Sequence, residues 1–68
     1  MTVKELLSTY CGKINAISLW DYTTEEETWF DFDNFNPDDD SYADWKNAEV
    51  KDWEFIGKDI NINVIREV

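Results

Sequence analysis

Residues 50–65 read VKDWEFIGKDININVI, and the alternation within them decides the fold. Trp53 and Phe55 fall on one side of an extended chain, with Asp52 and Glu54 on the other. Ile60, Ile62 and Val64 then alternate with Asn61 and Asn63. A period of two marks a strand with one buried face. Gly57 supplies the positive φ of a two-residue turn, so residues 50–56 and 60–65 are expected to form a hairpin.

The chain before this hairpin offers three weaker elements and one strong one. Residues 14–20 are rich in strand formers (Ile14, Ala16, Ile17, Leu19, Trp20). Residues 28–33 place Phe30 and Phe32 on one face, with Trp29, Asp31 and Asp33 on the other. These two strands are expected to form a first hairpin, whose loop carries Glu25, Glu26 and Glu27. Residues 2–12 are the clearest helix: Thr2 and Glu5 fit a capping box, Val3, Leu6, Leu7, Tyr10 and Cys11 share a face, and Gly12 ends it. A second short helix, capped by Asp40 or Ser41, runs through residue 49 with Tyr42, Trp45 and Ala48 on one side. The predicted fold is a single α+β domain over residues 1–68 in the order α-β-β-α-β-β. Its sheet is expected to be antiparallel, with one face packed on the N-terminal helix and the last strand at an edge.

Charge is distributed unevenly along this plan. The chain has 68 residues, 16 acids, 6 bases and a net charge of −10. Residues 21–44 hold Asp21, Glu25, Glu26, Glu27, Asp31, Asp33, Asp38, Asp39, Asp40 and Asp44 and contain no Lys or Arg. The flanks are neutral, so this segment carries the whole net charge. Such a surface repels nucleic acid and anionic membranes, because phosphate affinity comes from Lys and Arg; direct binding to either is not expected. Crowded carboxylates are expected to titrate above their ordinary values, so that mild acid or salt would stabilise the fold. Cys11, the single cysteine, closes no disulfide within the chain, and no apolar run reaches signal-peptide or transmembrane length. A reducing cytosol is the expected location.

Catalysis and metal binding find little support. There is no His to activate Cys11, and a buried small hydrophobe is its expected role. A calcium-loop match beginning at Asn36 (Asn36, Asp38, Asp40) meets Ser41 where Gly is needed and Asn47 where Glu is needed. No cofactor and no enzyme activity are expected. The outward residues predicted on the strands are acids or amides: Asp31 and Asp33, Asp52 and Glu54, Asn61 and Asn63. Same-face neighbours lie about 6.6–6.8 Å apart, close to the spacing of two phosphates at about 3.4 Å each. Trp29 among these acids has the composition of an interface hot spot. The plainer alternative is that the acids only solvate a small domain, although mixed signs would serve that purpose.

In size, charge and α+β pattern the chain resembles the short, acidic, aromatic-rich inhibitor proteins of bacteriophages and prophages, among them anti-CRISPR and other DNA-mimic proteins. The resemblance implies a non-enzymatic inhibitor seated in the basic groove of a nucleic-acid-binding host protein such as a Cas effector, a nuclease, a restriction enzyme or a polymerase. The acids of residues 21–44, with Trp29, Asp52 and Glu54, are the expected partner-binding set. A small phage accessory module that binds a protein partner through an aromatic patch around Trp29 is the alternative.

Overall fold

Ile60, Ile62 and Val64 are each at most 1 % exposed, which places them at the centre of the molecule. The computed structural model describes residues 1–9, 14–32 and 42–66. Its elements are α1 (Val3–Ser8), β1 (Ala16–Asp21), β2 (Glu27–Asp31), α2 (Ala43–Lys46), β3 (Glu49–Ile56) and β4 (Asp59–Ile65). The strands form one mixed sheet in the order β2-β1-β4-β3. Both hairpins are antiparallel, while β1 and β4 run parallel with Ile17 opposite Ile60 and Asp21 opposite Val64. The domain is therefore mixed α/β, with four strands and two short helices.

The expectation of an antiparallel sheet with the last strand at its edge is corrected. β4 sits between β1 and β3, and the burial pattern gives the reason. At an edge its three apolar side chains would keep one flank in water, whereas in the middle each gains roughly 1.5–3 kcal/mol from full burial. The polar β3 takes the edge instead, and all of its residues except Val50 are exposed. Trp53 and Phe55 face the same way as Ile62 and Ile60, as their alternation predicts, yet they remain 41 % and 45 % exposed. Periodicity gives the side of the sheet; it does not give depth.

One apolar cluster unites Val3, Leu6 and Leu7 of α1 with Ile17, Leu19 and Phe30 of the first hairpin, the three buried residues of β4, and Ile14, Trp45 and Ala48. The capping box forms in both directions: the Glu5 N–H donates to Thr2 Oγ1 at 3.2 Å and the Thr2 N–H donates to Glu5 Oε1 at 3.0 Å. α1 ends sooner than expected. The Ser8 and Thr9 hydroxyls donate back to the carbonyls of Lys4 and Leu6, satisfying the last turn, with Thr9 as C-cap. Tyr10, Cys11 and Gly12 lie outside the described residues. The first residues are strapped to the start of β3, since Val3 N–H donates to the Ala48 carbonyl at 3.1 Å and Val50 N–H to the Met1 carbonyl at 2.8 Å.

α2 is also shorter than predicted. It covers four residues, and its N-cap is Tyr42, which has a left-handed φ of 56° and makes no side-chain cap. Asp40 and Ser41, the expected caps, lie outside the described residues. The helix stops before residue 49 because Glu49 is already committed to β3, opposite Ile65. Strand pairing outweighs another turn of helix. A bulge between Val50 and Asp52 then leaves Lys51 with its Nζ 5.0 Å from the Tyr22 ring centroid.

The turn that closes the second hairpin is held by one backbone angle. Gly57 has φ of 63°, and a Cβ built there would meet nothing within 4 Å. Gly57→Ala should therefore cost about 1 kcal/mol through backbone strain alone. That lowers the melting temperature by roughly 4–8 °C, with Gly57→Asn costing less. An unchanged melting temperature for Gly57→Ala would show that the turn does not need the left-handed residue.

Candidate functional site

Two groups of acids can be separated by what surrounds them. The first gathers around Arg66, the one arginine in the sequence. Its Nε donates to Asp21 Oδ2 at 2.6 Å, Nη1 to Asp44 Oδ2 at 2.7 Å, and Nη2 to Glu26 Oε1 at 3.0 Å and to Thr24 Oγ1 at 3.1 Å. The guanidinium carbon lies 3.8 Å from the centroid of the Trp45 ring. Asp21 itself is fully buried and also accepts from the Thr23 N–H and the Thr24 hydroxyl. One guanidinium thus ties the end of β4 to β1, to the first hairpin's turn and to α2.

Burial pushes the Asp21 carboxyl up, but the Arg66 guanidinium, the Thr23 N–H and the Thr24 hydroxyl outweigh it and hold the group well below the usual carboxylate range. Arg66 is raised in turn, chiefly by its hydrogen bond to Asp21. Glu5 is lowered by the Thr2 backbone hydrogen bond of the capping box. The expectation that crowding raises the carboxylates of residues 21–44 is not met at Asp21. At both Asp21 and Glu5 internal donors outweigh desolvation.

The second group lies on the sheet face turned away from the apolar cluster. Residues opposite one another in register share a face, which puts Trp29, Ser18, Asn61 and Glu54 in one row and Glu27, Trp20, Asn63 and Asp52 in the next. Trp29 is 64 % exposed. Because Ser18 is small and stands between Trp29 and the far strands, the face is concave there. The hollow measures about 710 Å³ and is lined by Ser18, Trp20, Glu27, Trp29, Glu54 and Asn61 with their neighbours. Asp31 continues the acidic series along β2. The side chains of Glu27, Asp31 and Glu54 enter no ion pair or side-chain hydrogen bond among the described residues. Asp52 accepts from the Asn63 amide.

The predicted partner-binding residues therefore divide. Glu27, Trp29, Asp31, Asp52 and Glu54 come together on the open face. Asp21 is corrected: it is buried and internally paired, so it presents nothing to a partner. Glu26 and Asp44 are exposed at the surface but already engaged by Arg66. Glu25 sits in the hairpin turn with φ of 58°. Asp33, Asp38, Asp39 and Asp40 lie outside the described residues, as does most of the calcium-loop match. Sequence reading missed Ser18 and Trp20 as the floor and wall of the hollow, and Arg66 as the hub of the first group. A lone arginine in a chain otherwise using lysine was the available signal, since only the planar fork reaches several carboxylates at once.

Comparison of the chain with protein-family models, with curated proteins and with solved structures finds no match in any of the three. Among the described residues no helix is long and apolar enough to cross a membrane.

The Arg66 group carries a prediction about acid. Because Asp21 is depressed in the folded protein, its contribution to stability is complete above its unfolded value of about 3.9 and is lost as pH falls below that value. Thermal melts should show the wild-type midpoint dropping steeply below about pH 4. At neutral pH Arg66→Met should lower the midpoint by more than about 10 °C, since it leaves a buried charge without its partner. Combining it with Asp21→Asn should recover part of that loss, because the two groups share one interaction. Additive losses would contradict the coupling.

Proposed function

We propose that the chain is a non-enzymatic inhibitor of the DNA-mimic type, such as an anti-CRISPR protein, which occupies the basic nucleic-acid groove of a host protein in the bacterial cytoplasm. A Cas effector, a nuclease or a polymerase has the required groove. The observation that supports this is the pairing state of the acids. Arg66 engages the inner group, while among the described residues Glu27, Asp31 and Glu54 enter no ion pair, on a face that also exposes Trp29. In this reading α1 covers one side of the α-β-β-α-β-β fold and the other side meets the partner.

Charge complementarity sets how such a complex forms. An acidic face attracts a basic groove over distances comparable to the Debye length of about 8 Å at physiological salt, which speeds association and suppresses wrong partners. Glu27 and Asp31, four residues apart on one face of β2, stand about 13.6 Å apart and can replace phosphates four steps apart on a nucleic-acid strand. The exposure of Trp29 favours a second reading, in which an apolar patch on the partner provides most of the affinity and the acids are rim.

Capture from a bacterial lysate on immobilised chain, followed by elution with duplex DNA or RNA, tests the proposal. Nucleic-acid-binding proteins should be released by the oligonucleotide and by salt. A Glu27→Gln/Asp31→Asn/Glu54→Gln variant should bind the captured protein about tenfold more weakly, at ~0.5 kcal/mol for each exposed pair lost. If that variant binds normally while Trp29→Ala abolishes capture, the aromatic adaptor reading replaces the mimic. Capture that neither nucleic acid nor salt reverses contradicts the groove.

A further inference from the structure

We propose that Glu27, Trp29 and Asp31 form a guanidinium clamp on β2, so that the partner's basic surface is engaged through arginine in preference to lysine. The inference rests on the reading of the open face as a docking surface and names the side chain which that surface takes.

The geometry comes from the pleat. Glu27, Trp29 and Asp31 are alternate residues of one strand and project from the same face, so a carboxylate stands about 6.8 Å to either side of the indole. β2 is an edge strand, which leaves the Trp29 ring approachable from the side as well as from above. Ser18 beside it keeps the hollow open, and Glu54 bounds the far side. A ligand entering here meets an aromatic face and two flanking acceptors together. That combination suits a planar cation: guanidinium stacks on the ring, is weakly hydrated, and offers parallel N–H donors to a carboxylate at its edge. An ammonium is a compact, strongly hydrated point charge and gains less from the ring.

The molecule uses the same chemistry once within itself. The Arg66 guanidinium lies 3.8 Å from the Trp45 centroid while carboxylates of Asp21, Asp44 and Glu26 accept at its edge. The open face repeats those components, an indole with acids beside it, in an exposed setting. A second copy of the chain is a poor occupant, since each carries a net charge of −10. A neutral ligand would leave Glu27 and Asp31 without counter-charge.

Fluorescein-labelled hexa-arginine and hexa-lysine, titrated into the full chain by anisotropy at about 0.1 M NaCl, separate these chemistries at equal charge. Hexa-arginine should bind roughly two- to fivefold more tightly, the scale of an exposed cation–π contact. Trp29→Ala should bring the two peptides to the same affinity while residual charge-driven binding persists, and Trp29→Phe should keep part of the preference. Trp29 is exposed, so these variants should retain the wild-type far-UV circular dichroism. Equal affinities for the two peptides in the wild-type protein, both weakening with salt, would overturn the clamp and leave the groove reading standing. Failure of both peptides to bind even at low salt would overturn the groove reading and the clamp with it.

Discussion

The structure depends on how one guanidinium is held. Arg66 follows β4 directly, and the parallel register sets Asp21 opposite Val64, so the side chain leaves the sheet where the buried carboxylate sits. Register and ion pair fix one another. A slip of one residue would carry Arg66 about 3.3 Å along the strand and would also turn Ile60, Ile62 and Val64 from the core face to the outer one. Removing two charges from water is expensive, and a buried ion pair is weak evidence for net stability. Its clearer contribution here is to join the end of β4 to β1, because either charge left buried alone would be costly.

Holding that pair divides the acids into two kinds. Asp21 acts as an internal fastener, with Glu26 and Asp44 completing the shell around the same cation. Glu27, Asp31 and Glu54 remain outside it and are exposed to solvent. Some of that charge also protects the sheet. β2 is short and ends in acids, and β3 is covered at its start by residues 1–3 and carries Lys51, Asp52 and Glu54 further along, so neither edge is a flat apolar template for aggregation. Edge protection does not require Trp29 to stand exposed between two carboxylates. That exposure is what the proposed recognition role of the acidic face rests on.

Much of the fold was legible locally. The alternation from Val50 to Ile65, the Gly57 turn and the Thr2–Glu5 capping box are short-range signals, because each concerns residues that meet whatever the rest of the chain does. Longer-range choices were not legible. Arg66 and Asp21 are 45 residues apart, and nothing in a period of two says which strand a given strand will pair with. The mixed sheet follows from competition for the central position, where the apolar β4 displaces the polar β3. The candidate face was half visible: alternation found Trp29, Asp31, Asp52 and Glu54, while Ser18 and Trp20 became part of it only through cross-strand register. Counting charges along residues 21–44 treated all the acids alike, and so it could not separate Asp21 from Glu27.

The central claim is that cationic partners meet the open sheet face and leave the Arg66 group undisturbed. Chemical-shift mapping of the ¹⁵N-labelled chain during titration with hexa-arginine tests this residue by residue. The account predicts the largest amide and indole shifts at Ser18, Trp20, Glu27, Trp29, Asp31, Glu54 and Asn61, with α1 and the Arg66 side-chain resonances unmoved. Shifts concentrated on α1, or displacement of Arg66 from Asp21 by the added peptide with the open face silent, would contradict it.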